Sequence, residues 1–297
     1  MMHEFDMSDL GKMSYFLGME IIQNSKGIFM CQRKYAREVL ARFGMFDSKP
    51  VGNPIVPGTR LSKDEKGTKI DSTMFKQVVG SLMYLTSTRP DIMFGVSLIS
   101  RYMSSPTEEH WCAAKRILRY INGTIEMGIL YKGESITELV AYTDSDFAGD
   151  LNDRKSTSGF VFILAGGAVS WASKKQPVVT LSTTEAEYIA AASCACQYIW
   201  LTRILEKLGH KGEEGNTMYC DNSSTIQLSK HFVFHGKSKH IDVKFHFLRD
   251  LVNEGTVKLK YYNTQNQIAD IMTKPLKKEQ FIKLREMLGL MPAIEVS

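Results

Sequence analysis

Cysteine is scarce in this chain. Its 297 residues hold five, Cys31, Cys112, Cys194, Cys196 and Cys220, an odd number at wide spacing. That usage excludes a disulfide framework. With no apolar secretory core in MMHEFDMSDLGKMSYFLG, it predicts free thiols in a reducing compartment. Cys194 and Cys196 look at first like a chelating pair. Two residues apart on a helix means about 200° around the axis, so they point to different faces and read as small core residues. No apolar run approaches the ~20 residues needed to span a bilayer. A large excess of one charge is also lacking: 37 basic against 32 acidic side chains leaves +5. So mild a balance permits nucleic-acid binding without demanding it. No repeat or low-complexity tract stands out. What is present is 43% hydrophobic and 23% charged, enough apolar surface for more than one core.

Two element rhythms follow one another. SYFLGMEII and GIFMCQ, separated by QNSK, read as a hairpin. RKYAREVLARFGM has apolar residues at helical spacing and Gly44 as its stop. Residues 49–69 carry Pro50, Pro54 and Pro57 and read as a connector. Three helices follow, MFKQVVGSLMYLTS, DIMFGVSLISRYMSS and TEEHWCAAKRILRYING, the last with Thr107 as N-cap. From about Glu138 the order becomes β-β-β-α-β-α-β-α. TELVAYTD is a strand and GFVFILAGGAVSWASKK a hairpin. A long helix follows, and both Ser182 with Glu185 and Thr184 with Glu187 have capping-box spacing at its start. The sequence TMYCD, SSTIQLSK, KHIDVKFHFLRDLVNEG, TVKLKYYN and NQIADIMTKPL then alternates strand and helix. Single helices between consecutive strands suggest crossover units, and the leading hairpin suggests a mixed sheet.

Acids gather at the ends of these elements. Asp144 ends a strand, with Asp146 and Asp150 close behind it. Glu187 lies in the first turns of the long helix, Asp221 ends TMYC, and Asp270 sits in the final turn. A carboxylate in an apolar frame is costly unless paired or bound to a cation, and hard oxygen ligands suit magnesium or manganese. Each acid also has a plain reading. Asp144 and Glu187 cap ends, Asp221 caps SSTIQLSK, and Asp270 is solvated. A calcium loop opening at Asp144 is excluded, because its twelfth position is Lys155. A phosphatase pair of Asp144 and Asp146 fits locally but leaves Glu187 and Asp270 without a role.

Taken together, the blocks YTDSDFAGD, STSGFVFILAGGAVSWASKKQ, LSTTEAEYIAAA, YCDNSSTIQL, KHIDVKFHFLRD and QNQIADIMTKPL resemble the ribonuclease H domain of copia-type LTR retrotransposon Pol polyproteins. YFLGMEI resembles the end of a reverse-transcriptase palm. FKQVVGSLMYLTSTRPDI and AAKRILRYINGT resemble the following thumb and connection. The resemblance implies an α/β (α+β) fold: a ribonuclease H-like mixed five-stranded sheet preceded by a mostly helical segment. It divides the chain into a palm remnant (1–55), a thumb/connection segment (56–132), a ribonuclease H domain (138–276) and a C-terminal helix and tail (277–297).

It further implies hydrolysis of the RNA strand of an RNA–DNA hybrid by two magnesium ions, with manganese as a substitute. The ligands would be Asp144, Glu187, Asp221 and Asp270, with Asp144 bridging, Glu187 and Asp221 holding one ion and Asp270 the other. Asp146 and Asp150 are then solvated acids in a turn. Ser182, Thr183, Asn222 and Ser223 suit minor-groove contacts, or else cap helices. Lys174 and Lys175 suit DNA-strand phosphates, or else form a wet hairpin end. Lys115, Arg116 and Arg119 suit a duplex backbone, or else a solvated helix face. Where many relatives carry a histidine before the last acid, YYNTQNQIAD has none, and Asn263 and Gln265 stand there instead. No Tyr-x-Asp-Asp polymerase signature occurs, so polymerisation is not expected of this chain. The expected setting is cytoplasmic, in a virus-like particle, or nuclear, and not secreted. Further reverse-transcriptase polypeptide is expected as a second partner beside the hybrid. The rival expectation is a non-catalytic nucleic-acid-binding remnant.

Overall fold

The structure, a computed structural model, describes residues 11–63, 66–133, 138–210, 216–230 and 239–293, with side chains in the last stretch described from residue 246. Among the described residues no helix is long and apolar enough to cross a membrane.

Two five-stranded sheets organise the described residues. The first begins with β1 (Tyr15–Phe16), β2 (Met19–Asn24) and β3 (Gly27–Cys31), followed by helix α1 (Arg33–Arg42). Helices α2 (Ser72–Leu85), α3 (Met93–Ser100) and α4 (Glu108–Asn122) come next, and then β4 (Met127–Lys132). Local chemistry sets their limits. Asp71 caps α2 by accepting from the Thr73 N–H at 2.8 Å. Pro90 opens a short 3-10 turn before α3. At α4 the Thr107 cap is answered by a histidine, since the Thr107 N–H donates to His110 Nδ1 at 2.9 Å. Gly27 has φ +135°, and a Cβ there would stand 2.0 Å from the Tyr131 carbonyl, so β3 can approach β4 only with glycine at that position.

The second sheet has strands β5 (Val140–Ser145), β6 (Thr157–Leu164) and β7 (Gly167–Lys175), helix α5 (Thr183–Lys207) and strand β8 (Asn216–Cys220). It closes with α6 (Ser223–Lys230), α7 (Lys239–Asn253) and β9 (Val257–Tyr261), before 3-10 turns at Thr264–Asn266 and Ile268–Met272. Its spatial order is β7-β6-β5-β8-β9. The β7-β6-β5 meander is antiparallel, and the β5-β8 and β8-β9 pairs are parallel. This is the mixed five-stranded α/β sheet expected from the element order.

The chain ends with α8 (Lys278–Met287) and β10 (Leu290–Pro292). Strand β10 pairs with β4, giving the first sheet the order β1-β2-β3-β4-β10. The helical pattern expected over 56–132 thus ends in a strand, and the C-terminal segment returns to the upstream sheet. Both strands are short apolar runs that pattern reading does not separate from helix ends.

The second sheet is covered on both faces. One face packs Ala141, Phe162 and Met218 against Tyr188, Ala195 and Tyr198 of α5 and Leu248 of α7. On the other, Val161, Ala168 and Met272 join Val96 and Ile99 of α3 and Ile117 of α4 in a continuous core. Polar ties cross the same boundary. Trp171 Nε1 donates to the Thr86 carbonyl at 3.1 Å, and Ser97 Oγ to the Ser173 carbonyl at 2.9 Å.

Within the helical layer lies a buried ion pair. Arg89 grips Asp91 through Nε–Oδ1 at 2.9 Å and Nη2–Oδ2 at 2.8 Å. Tyr120 donates its hydroxyl to Asp91 at 2.6 Å, and Arg89 also donates to the Thr124 carbonyl at 2.9 Å. Removing one partner leaves an uncompensated buried charge. Arg89→Met is therefore expected to lower unfolding free energy by about 3–5 kcal/mol in urea titration, with part of the loss recovered in Arg89→Met/Asp91→Leu.

A second anchor is Asp150. Far from being solvated, it is 3% exposed and meets Arg101 at 3.3 Å and Lys175 at 3.0 Å. It also accepts from the Asn152 and Asp153 N–H groups. Burial alone would raise its carboxyl, but Lys175 and these N–H donors outweigh it and hold it at about 2. A depressed folded-state value contributes stability above the unfolded pKa near 4 that is lost as pH falls toward 2. Asp150→Asn should cost about 2 kcal/mol at pH 7, and in pH-resolved urea titrations that cost should vanish near pH 2.

Candidate metal centre

The parallel pairing of β5 with β8 aligns Ala141 with Met218 and Tyr142 with Tyr219. Two residues further along each strand stand Asp144 and Asp221, so the register carries the two acids to adjacent strand ends. Asp270 reaches the same place from the Ile268–Met272 turn. Gln267 pins that turn by donating Nε2 to the Thr143 carbonyl at 3.1 Å. Gly159, the β6 residue opposite Asp144, lets the turn lie close, because a Cβ there would stand 2.6 Å from Met272 Cβ and 2.7 Å from Thr273 Cγ2. Glu187 comes from the second turn of α5 and accepts from the Ser145 N–H at 3.2 Å. Cys220 Sγ lies 3.9 Å from its other oxygen.

One carboxylate oxygen each from Asp144, Asp221 and Asp270 lies within 4.8 Å of the other two, and Glu187, Cys220 and Asp221 form an overlapping group. Two unit charges so placed repel by roughly 3–4 kcal/mol at the effective dielectric of a protein. Asp144, Glu187 and Asp270 are buried, and Asp221 is half-buried. Burial, then the charges of Asp144 and Asp221, push Glu187 well up. Burial and Asp144 raise Asp221 and Asp270 as well. The centre is short of positive charge. Its donors are hard oxygens, and Asp270 Oδ1 is buried with only the Lys274 ammonium, at 3.0 Å, as a polar neighbour among the described residues. Such a set fits a divalent cation of the magnesium or manganese kind.

Two plain readings are overturned. Asp221 does not cap α6; Asn222 does, its Oδ1 accepting from the Thr225 N–H at 3.0 Å. Asp221 is thereby left to the centre. Asp146 is half-buried rather than solvated, accepts from the Thr157 N–H, and is pushed up to about 6 chiefly by burial.

The remaining residues singled out from the sequence fall in several places. Ser182 caps α5 and accepts from the Glu185 N–H at 3.1 Å, while Thr183 and Ser223 are exposed at the starts of α5 and α6. Lys174 is exposed, whereas Lys175 is held by Asp150 and Asp153. On α4, Arg116 donates to Asn53 at 2.6 Å and Arg119 to the Lys49 carbonyl at 2.7 Å, tying the 49–69 connector to the helix. Lys115 lies 6.0 Å over the Trp111 ring. His246 is exposed on α7, and the side chain of His240 lies outside the described residues. Cys194 and Cys196 do point to different faces of α5, but only Cys194 is a core residue; Cys196 is exposed, which corrects the reading of both as core.

Sequence reasoning missed three neighbours of the acids. Thr273 donates its hydroxyl to Asp144. Gln176 Nε2 donates to Ser145 Oγ at 3.2 Å and to the Ala186 carbonyl at 2.9 Å, joining the β5 and α5 sides of the centre. Lys274 brings its ammonium to 3.0 Å from Asp270 and 3.5 Å from Asp144. Its i,i+4 spacing from Asp270 was the signal available in the sequence.

Residues 1–57 match the family model described as reverse transcriptase (RNA-dependent DNA polymerase). The chain is 42% identical over 296 residues to the retrovirus-related Pol polyprotein from transposon TNT 1-94 of Nicotiana tabacum, covering 96% of this chain and 22% of that protein. It is 40% identical to the corresponding polyprotein from transposon RE1 of Arabidopsis thaliana, over 96% of this chain and 20% of the relative. The chain therefore spans about a fifth of the length of the relatives it matches. Among solved structures, LC11-RNase H1 in complex with an RNA/DNA hybrid is similar at 16% identity and a TM-score of 0.35, over 46% of this chain and 94% of that one. On the strength of 40–42% identity over 96% of its own length to these plant polyproteins, this chain belongs to the retrovirus-related Pol polyprotein family of transposons.

Proposed function

We propose that the four-acid centre hydrolyses the RNA strand of an RNA–DNA hybrid. The observation that carries this reading is the convergence of Asp144, Glu187, Asp221 and Asp270 from four separate elements. Their mutual repulsion has no structural use in the fold. Asp144, Asp221 and Asp270 would hold one part of a divalent-cation site, and Glu187 with Asp221 the other. Bound there, magnesium or manganese supplies Lewis-acid activation of water and neutralises charge on the scissile phosphate.

The chain's own residues do the positioning. The Thr273 hydroxyl orients Asp144, and the Ser145 N–H orients Glu187. Gln176 fixes the spacing of β5 against α5. Gln267 holds the Asp270 turn on β5. Thr183 and Ser223 are exposed at helix starts, which would suit contacts to the minor groove, where 2′-hydroxyls distinguish an RNA strand from DNA. Lys174 is the exposed cation for the DNA-strand phosphates, because Lys175 is already ion-paired within the protein.

The test is cleavage of an end-labelled RNA–DNA hybrid by the full chain, with magnesium, manganese or EDTA. RNA-strand cleavage is expected only with metal, and Asp144→Asn should reduce it by more than about 100-fold. Salt-sensitive hybrid binding without cleavage, by folded protein and with either metal, would instead establish a binding module.

A further inference from the structure

Lys274 is a cation inside the acid cluster, and the hydrolytic reading gives it no part. It sits on the same turn as Asp270. Its backbone N–H donates to the Asp270 carbonyl at 3.2 Å, and Pro275 follows it immediately. The turn hydrogen bond and the proline restrain the main chain, while the lysine side chain keeps several rotatable bonds. The ammonium lies 3.0 Å from Asp270 Oδ1 and 3.5 Å from Asp144 Oδ2. Asp144 and Asp270 are also the two acids whose oxygens gather with Asp221 as a cation-binding group. A side-chain cation and a divalent ion therefore claim the same corner.

Three features are consistent with a removable occupant. Apart from the Lys274 ammonium, Asp270 Oδ1 has no polar partner among the described residues, so a divalent cation that displaced the lysine would meet an open oxygen. The Lys274 side chain is 36% exposed, while those of Asp144 and Asp270 are 2% and 8% exposed, so the lysine has a path outward and the acids do not. Finally, Lys274 lines a cavity of about 280 Å³ walled by Asp146, Phe147, Arg101 and Leu61. Asp146 offers a second carboxylate there. Arg101 in the same wall already contacts Asp150 and Thr157, which reduces its competition for Asp146.

We propose that Lys274 is the resident counter-ion of the centre. It holds the Asp144–Asp270 corner together without metal and withdraws toward the Asp146 cavity when a divalent cation binds, so it sets the metal concentration at which the centre fills. The proposal rests on reading the four acids as a metal site. Lys274 is a positioning residue in this scheme.

The experiment is calorimetric titration of the full chain with Mn²⁺, without nucleic acid, for the wild type, Lys274→Met and Lys274→Arg. Thermal unfolding in EDTA runs alongside. Lys274→Met should bind Mn²⁺ roughly 10- to 100-fold more tightly than the wild type, yet unfold several degrees lower in EDTA. Lys274→Arg should restore both properties toward wild type. If Lys274→Met needs metal to fold, the dependence of its midpoint on Mn²⁺ concentration reports the same affinity. Metal binding with equal or weaker affinity in Lys274→Met overturns the proposal and leaves the metal centre standing. Equally tight binding by the Arg and Met variants overturns it too, because charge would then be irrelevant. No Mn²⁺ binding by any of the three proteins overturns the metal reading and this proposal together.

Discussion

Like charges at neighbouring strand ends are the constraint around which this structure is arranged. The β5–β8 register brings Asp144 beside Asp221, and two further elements deliver Glu187 and Asp270 to the same spot. Each acid needs a reason to stay. The Ser145 N–H holds Glu187, the Thr273 hydroxyl holds Asp144, and the Lys274 ammonium lies between Asp144 and Asp270. Absence is used as well. Gly159 has no Cβ, so the Asp270 turn can lie directly on the strand. A fold that only needed stability would replace such a cluster with apolar residues of similar volume, since buried charge is a poor source of stability. The hard oxygen donors of the cluster fit a divalent cation.

The upstream segment is part of the same solid. Helices α3 and α4 cover the face of the second sheet opposite α5, and β10 carries the chain back to β4. Arg101, at the end of α3, reaches Asp150 in the strand-to-strand connection beside the centre and Thr157 at the start of β6. The helices thereby brace the loop that follows Asp144, and their residues wall the cavity next to Lys274. The buried Arg89–Asp91 pair and its Tyr120 hydrogen bond give that helical layer a specific internal geometry, which apolar packing alone enforces less strictly.

Much of this was legible in the sequence. Periodicity and caps located the helices and the mixed sheet because each signal is local: alternation, a capping Ser or Thr, a stopping Gly. What escaped was non-local. Strand β10 spans three residues and is a strand only because β4 offers it a partner. Asp150 reads as a turn acid until Arg101, distant in sequence, packs against it. Asn222 and Asp221 are equal candidates to cap α6 on sequence alone, and only the backbone geometry chose between them. Lys274 was visible as a residue four positions after an acid, but its importance depends on Asp144, which lies 130 positions away in the chain.

By itself, then, the amino-acid order indicated the element sequence through local spacing and, through the resemblance of its motif blocks, the family and four candidate acids; spacing alone left those acids open between a metal site and helix or turn caps. Tertiary structure alone decided which acids meet, which cations are already spent on structural partners, and which one stands inside the cluster. Those outcomes depend on distances between residues far apart in the chain, and Coulomb and hydrogen-bond energies are set by distance in space.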